Sequence, residues 1–417
     1  MKPMRYVELF CGVGGFRLGL EPLGMECVLA NDVNASACEV YRSRFGDVLE
    51  GDVRSLDANK VPDHDLLTAG FPCQSFSHAG KNLGMADERG NLFFDVHRVL
   101  KAKRPPFFLI ENVRGLLTND KGRTIRIMLE MLNGLGYRCD VALLDASSFG
   151  VAQRRVRAFL VGVTRDIFPM TANPAERNLL ASRLPGLIPV VPQHDPIQGD
   201  LSGLRPSTRI DVPDKLLGVL RERIAKKPRR MLRIRDNRLG SGSIPTWKVS
   251  LFGDVSERQE KILDDVRRRN QEHVWSLIDK KGEEGSCIAR FSARQLKATK
   301  AELDQLSEMG YLRKSGDKYN LINRTIIPGS LPSCYAGPKG TAPTTTASNM
   351  SGMGLVLEDG VYALGAKEYE QIQGFPVGHT AIEGLSEKER VRLIGNSVVP
   401  PVIEWLGRVI KRVMEES

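Results

Sequence analysis

The strongest constraint on this chain is an alternation in residues 1–165, where short apolar runs are separated by helix-like segments. Candidate strands are Tyr6–Cys11, Glu26–Asn31, Val48–Val53, Asp65–Phe71, Phe107–Asn112, Cys139–Ala146 and Ala158–Val163. Candidate helices are Gly15–Leu23, Ala35–Phe45, Leu92–Ala102 and Gly122–Gly134. Strands alternating with helices predict an α/β fold on a doubly wound, mostly parallel sheet. Ligands of such sheets bind beyond the carboxyl ends of the strands.

The pattern changes after Thr164. Pro169, Pro174, Pro185, Pro189, Pro192 and Pro196 punctuate a loop-rich stretch, followed by a basic region from Arg221 to Arg238. A charged helical segment covers Glu257–Asp279. Ser292–Leu321 reads as helix, turn, helix and hairpin, with Leu296, Leu303, Leu306, Met309 and Leu312 on a packed face and Gly316-Asp317 at the hairpin turn. The plain reading is a small helical subdomain; the sharper one is a winged-helix-like DNA module near 285–322. A last helix is expected over Val399–Met414, after the polar turn Gly395-Asn396-Ser397. The 417 residues suit two domains: 1–165, a smaller domain over 166–379, and a segment, 380–417, that returns to the first.

A net charge of +10 and a pI near 9.3 favour a polyanionic partner, nucleic acid first. No run of about 18 apolar residues is present, so no transmembrane helix is expected, and the N-terminus has no signal-peptide pattern. Cys11, Cys27, Cys38, Cys73, Cys139, Cys287 and Cys334 include no Cys-x-x-Cys pair. That argues against a disulfide framework and a structural zinc site, and fits a reducing cytoplasm.

Phe10-Cys11-Gly12-Val13-Gly14-Gly15 follows the first strand and opens a helix. Glycines admit close backbone approach, and a helix start offers free N–H groups. The dinucleotide fingerprint is broken because Arg17 stands at its third glycine. Alone, the run serves equally as a tight turn. Asp32 and Asp52 close the second and third strands, where ribose hydroxyls are held in such folds, although either could be a cap. With the glycine turn, they favour a nucleoside pocket.

Gly70-Phe71-Pro72-Cys73-Gln74-Ser75-Phe76-Ser77 puts a cysteine in polar, loop-like sequence at the end of the fourth strand. A thiolate there is a candidate nucleophile, whereas the other cysteines read as small buried hydrophobes. Glu111-Asn112-Val113 ends the fifth strand. A partly desolvated carboxyl at that place can hold a proton near neutral pH, although a salt-bridged glutamate is the blander reading. Gln153-Arg154-Arg155-Val156-Arg157 opens the last strand, whose alternation sends Arg155 and Arg157 to one face. Two guanidiniums there suit phosphate or base edges; a solvated basic face is the alternative.

In this order, the segments FCGVGG, GFPCQSFS, RGNLFFD, ENV, QRRVR, QGFP and GNSVV resemble the DNA (cytosine-5)-methyltransferases of prokaryotic or phage type. They cover roughly 5–165 and 340–400; the interval 166–330 matches no motif, and in this family it holds the target-recognition domain. Three departures stand out. Asp32 replaces a usual Glu, Tyr362–Glu368 matches only at Leu364 and Glu368, and Arg392-Leu393-Ile394 lacks a common Gln.

The resemblance implies an S-adenosylmethionine-dependent methyltransferase sheet with a smaller target-recognition domain. Cys73 would attack carbon 6 of cytosine. Glu111 would protonate or hydrogen-bond nitrogen 3. Arg157, with Arg155, would hold the flipped base, and Gln74 and Ser77 would lie on a loop that closes over DNA. Phe10, Gly12, Val13, Gly14, Gly15, Asp32, Val33, Asp52, Val53, Pro72, Leu92, Asn396, Ser397 and Val398 would line the S-adenosylmethionine site, with no metal. Covalent addition activates a carbon that is a poor nucleophile, and a stacked base must be extruded first. The expected partner is double-stranded DNA, met by a monomer in a bacterial or phage-infected cytoplasm, with or without a cognate restriction endonuclease. An RNA cytosine methyltransferase is disfavoured by the long middle region. An inactive DNA-binding subunit is disfavoured by the joint presence of Cys73, Gln74, Glu111, Asn112 and Arg157, and a nicotinamide oxidoreductase by the broken fingerprint.

Overall fold

The computed structural model describes residues 2–71, 92–167, 200–229, 231–235, 243–245, 255–279, 290–309, 311–321, 332, 334–342, 344 and 352–415. Its contacts divide the chain into two compact units. The first comprises 1–205, 341–350 and 365–417, and the second 206–340 and 351–364.

The first unit opens with β1 (Arg5–Leu9), α1 (Gly15–Leu20), β2 (Glu26–Asp32), α2 (Ala35–Phe45), β3 (Leu49–Glu50) and β4 (Leu66–Ala69). It continues with α3 (Leu92–Lys103), β5 (Phe107–Val113), α4 (Arg123–Gly134), β6 (Tyr137–Asp145) and β7 (Val156–Thr164). The sheet order is β3-β2-β1-β4-β5-β7-β6. Strand β7 runs antiparallel to both neighbours, while β1 to β5 pair in parallel. The mostly parallel sheet expected from the alternation is therefore present.

The central strands are apolar runs because helices cover both faces of the sheet. Tyr6, Leu66, Phe107 and Leu109 pack on one side, and Val7, Leu67, Phe108 and Ile110 on the other. Strand β3 is shorter than the expected Val48–Val53. The Asp52 carboxylate accepts the Arg54 N–H and caps a one-turn helix over Val53–Ser55, which takes the backbone out of the sheet.

The second unit contains β8 (Thr208–Ile210), α5 (Asp214–Lys226), β9 (Leu232–Arg235), β10 (Ser243–Pro245), α6 (Glu257–Asp279), β11 (Phe291–Ser292), α7 (Lys300–Glu308), β12 (Leu312–Ser315), β13 (Lys318–Leu321), β14 (Cys334–Ala336), β15 (Met353–Val356) and β16 (Val361–Ala363). A sheet ordered β10-β9-β14-β15-β16-β8 packs on α5 through Leu216, Leu220, Leu232 and Tyr335. A second sheet, β11-β13-β12, has its own core with α6 and α7, built from Ile262, Val266, Leu303, Leu306, Leu312 and Tyr319. Of the helix–turn–helix–hairpin expected in Ser292–Leu321, the second helix and the hairpin form. Thr299 and Glu302 cap the helix reciprocally, and Gly316 takes φ 62° in the hairpin turn. The first expected helix is only a turn over 293–297, where Lys297 has φ 49°.

The first unit closes with α8 (Ala366–Ile372), α9 (Glu387–Asn396) and α10 (Pro400–Glu415). The unit boundaries differ from the expected 165/166 and 379/380. Residues 366–379 belong to the first unit because Gln373 and Glu370 tie α8 to α9 and to the chain beside it. Helix α10 lies against α1 at glycine distance: a Cβ on Gly19 would stand 2.7 Å from Ile403, and one on Gly407 2.7 Å from Leu20. Cys11, Cys38 and Cys139 are buried as expected of small hydrophobes, Cys27 and Cys334 are half-buried, and Cys287 lies outside the described residues. Among the described residues, no helix is long and apolar enough to cross a membrane.

Candidate active site

Strand β5 stays buried through Asn112, which carries an ionisable side chain into the sheet at Glu111. Glu111 is 9% exposed, and Arg157 Nε stands 3.1 Å from its Oε1. The antiparallel β5–β7 pairing produces this meeting by placing Val113 opposite Arg157 and Glu111 opposite Phe159. Burial pushes the Glu111 carboxyl above its ordinary range, and the charges of Arg157 and then Arg155 only partly oppose it. The carboxyl is thus biased toward its protonated form, which can donate a hydrogen bond.

Asn112 Nδ2 donates to the Phe71 carbonyl at 3.1 Å, tying the ends of β5 and β4 together. Phe71 is the last described residue before Pro72, Cys73 and Gln74, which lie outside the described residues, as does Ser77. Gly70 closes on the same place: a Cβ there would stand 3.9 Å from Glu111 Oε2.

The structure divides the arginine pair. Arg157 faces Glu111, whereas Arg155, 3% exposed, donates from Nη1 to the Gly395 carbonyl at 3.1 Å and from Nη2 to the Ser397 carbonyl at 2.8 Å. Gln373 Nε2 adds a bond to the Ser397 carbonyl at 3.0 Å and one to Ile394 at 2.6 Å. Two buried side chains thus hold the 394–397 turn.

That turn meets the glycine turn after β1. A Cβ on Gly15 would stand 2.6 Å from Ser397 Oγ and 3.0 Å from the Val398 carbonyl, and one on Gly14 would fall 2.2 Å from the Phe45 ring. Gly14 and Gly15 are therefore required by packing. At Gly12, by contrast, φ is +54° and a Cβ would meet nothing within 4 Å, so this is where the turn leaves room for a ligand. Phe10 also has positive φ, 57°. The Gly12 N–H donates to Asp32 Oδ2 at 2.8 Å and the Asn34 N–H to Oδ1 at 2.8 Å. Burial nevertheless pushes the Asp32 carboxyl up.

Val33 projects beyond β2 at 68% exposure, Asn396 is exposed, and Val13, Val53, Ser397 and Val398 are buried behind these groups. Asp52 pairs with Arg54 at the surface, and Leu92, half-buried, opens α3. Open space at Gly12, the Asp32 and Asp52 carboxylates at the end of β2 and just after β3, and the exposed Val33 are groups whose chemistry is compatible with an amino-acid-bearing nucleoside. The motif reading missed the holding residues: Gln373 was legible only as part of QGFP, and Glu370 and His379 had no role assigned to them.

The first unit thus combines an antiparallel β7 in an otherwise parallel sheet with an acid–arginine pair at the adjoining ends of β5 and β7. Residues 4–412 match C-5 cytosine-specific DNA methylase, and the chain belongs to that family. It is 31% identical to Type II methyltransferase M.NlaIV of Neisseria lactamica, over 97% of this chain and 98% of the relative. It is 30% identical to Type II methyltransferase M.BanI of Aneurinibacillus aneurinilyticus, over 96% and 94%. Among solved structures, the S. pombe Dnmt2 methyltransferase shares the fold with a TM-score of 0.53 and 16% identity, covering 99% of both chains. The protein is accordingly a C-5 cytosine-specific DNA methyltransferase.

Proposed function

We propose that the protein methylates carbon 5 of a cytosine flipped out of a specific double-stranded DNA sequence, with Cys73 as covalent nucleophile. The observation that carries this reading is the buried Glu111 carboxyl, pushed toward its protonated form and paired with Arg157 beside the strand that leads into Cys73. Bound S-adenosylmethionine supplies an electrophilic methyl group. The Cys73 thiolate forms a bond to carbon 6, Glu111 donates to nitrogen 3 so that charge does not build up on the ring, and carbon 5 becomes the nucleophile. Transfer would break the sulfur–methyl bond and leave S-adenosylhomocysteine, and loss of the carbon-5 proton to a base would then expel Cys73 as thiolate and restore aromaticity. Arg157 holds the base beside Glu111, and Gln74, the residue after Cys73, takes part in the same reaction.

Phe10, Gly12, Asp32, Val33, Asp52, Leu92 and Asn396 hold S-adenosylmethionine, with Val13, Gly14, Gly15, Val53, Ser397 and Val398 behind them and Pro72 at the cysteine side. The second unit reads the DNA sequence, and its exposed Lys227 and Arg229 after α5 add to the +10 charge that favours a polyanion. The enzyme acts as a monomer in the cytoplasm. It protects DNA against a cognate endonuclease without forming a stable complex with it.

Tritiated S-adenosylmethionine, unmethylated genomic DNA and a duplex carrying 5-fluorocytosine test the reading together. Label in DNA cytosine and a trapped covalent complex that is lost in Cys73→Ser are expected. Turnover that survives Cys73→Ser refutes the covalent step, and label confined to RNA in a parallel reaction refutes the DNA substrate.

A further inference from the structure

We infer that His379 is a positioning residue for the cofactor turn, holding the Val13 carbonyl so that the backbone from Gly12 to Gly15 keeps the shape that receives S-adenosylmethionine. The inference rests on reading that turn as the cofactor site. His379 is 4% exposed, and its Nε2 lies 2.7 Å from the Val13 carbonyl, 366 residues away in sequence. A carbonyl can only accept, so Nε2 carries the proton and donates.

The ring is held from several sides. It packs against Phe45 at 5.9 Å and Phe375 at 5.1 Å between centroids. Arg44 Nε donates to the His379 carbonyl at 2.7 Å, and Arg44 Nη2 to that of Gly378 at 2.5 Å. The buried Glu370 carboxylate accepts the N–H groups of Gly378 and Thr380 at 2.6 and 2.8 Å, and Arg390 stands 3.3 Å from it. Burial lowers the imidazole's affinity for a second proton, with Arg44 adding to that, while the Val13 bond and Glu370 oppose it. The ring is thus kept as a neutral donor.

The held turn is one that most residues cannot adopt, with φ of +54° at Gly12 and +83° at Gly14. Asp32 fixes it from the side of the Gly12 N–H, and His379 fixes it from the side of the Val13 carbonyl. Losing either anchor frees the peptide groups between them. Sequence separation hides this link, because nothing local to either segment announces the other.

The test compares His379→Phe, which keeps a packed ring and removes the donor, with His379→Gln, whose Nε2 lies the same number of bonds from the backbone as that of histidine. The Phe variant should bind S-adenosylmethionine about fivefold to tenfold more weakly, the loss expected for one buried hydrogen bond. Its kcat at saturating cofactor and its KM for DNA should stay near wild type. Amides of residues 11–15 should exchange faster in the ligand-free Phe variant, and the Gln variant should restore both binding and protection. Wild-type affinity and exchange in His379→Phe, or equal damage in both variants, overturns the inference. If wild-type protein binds no S-adenosylmethionine while the exchange difference persists, the positioning role stands and the cofactor reading falls.

Discussion

Glu8 lies within β1 at 0% exposure, and its only hydrogen bond among the described residues comes from Tyr41 OH to Oε2, at 3.2 Å. The Arg17 guanidinium reaches the Tyr41 hydroxyl at 3.3 Å instead. Burial therefore dominates and pushes the Glu8 carboxyl up to about 8, with the Tyr41 bond and the Arg17 charge opposing. Because the folded value lies above the unfolded one, near 4.5, the folded protein holds a proton that the unfolded chain has released. The stability linked to Glu8 is fully present below the unfolded value and is lost as pH rises through the folded one. Each pH unit between them costs about 1.4 kcal/mol.

Glu8→Gln keeps an acceptor for Tyr41 and does not titrate. From about pH 5.5 to 7.5 the parent should lose roughly 3 kcal/mol of stability relative to the variant. His64, His97 and His379, whose pKa values are lowered by burial, tilt the curve the other way at acid pH. They are common to both proteins and cancel in the difference. Urea unfolding of parent and variant at several pH values in this window measures it. A difference that stays flat with pH refutes the reasoning, since Glu8 would then be ionised in the folded protein at no cost.

Glu111→Gln should lower kcat by about 10²- to 10⁴-fold while leaving S-adenosylmethionine affinity unchanged. The Glu111 carboxyl is raised, so the alkaline limb of wild-type single-turnover rates should fall as pH rises through its folded pKa, while the acid limb follows protonation of the Cys73 thiolate. An alkaline limb that persists in the Gln variant assigns that titration to another group. Gly15→Ala puts a methyl 2.6 Å from Ser397 Oγ and should cost about 1–3 kcal/mol of stability and weaken cofactor binding, read by urea unfolding and equilibrium dialysis. Wild-type values in both would show that the two turns part without penalty.

The seven strands of the first sheet were legible because both of its faces are buried, which makes each central strand an apolar run that stands out from its flanking helices. The second unit was less legible. Its strands are short, and β14 and β16 pair with β9 and β8, far away in sequence, so no local alternation marks these pairings. Leu296 fits an apolar helical face, which makes the 293–297 segment look helical in sequence. Its backbone instead takes positive φ at Lys297, whose carbonyl accepts from Arg258.

The same distinction separates the two kinds of site residue. Glu111 and Asp32 were legible because a polar residue that ends an apolar strand has few roles other than chemistry or capping. Arg155, Gln373 and His379 act on carbonyls of Gly395, Ser397, Ile394 and Val13, and a carbonyl is present at every position of the chain. Any side chain with a donor of the right length can fill such a role, so residue type carries little signal and only the fold reveals the partner. These donors set the geometry of the turns they hold. A substitution there should change cofactor affinity before it changes the chemical step, whereas a substitution at Glu111 should do the reverse. A kcat and Kd comparison across His379, Arg155 and Glu111 variants would separate holding from chemistry without a further structure.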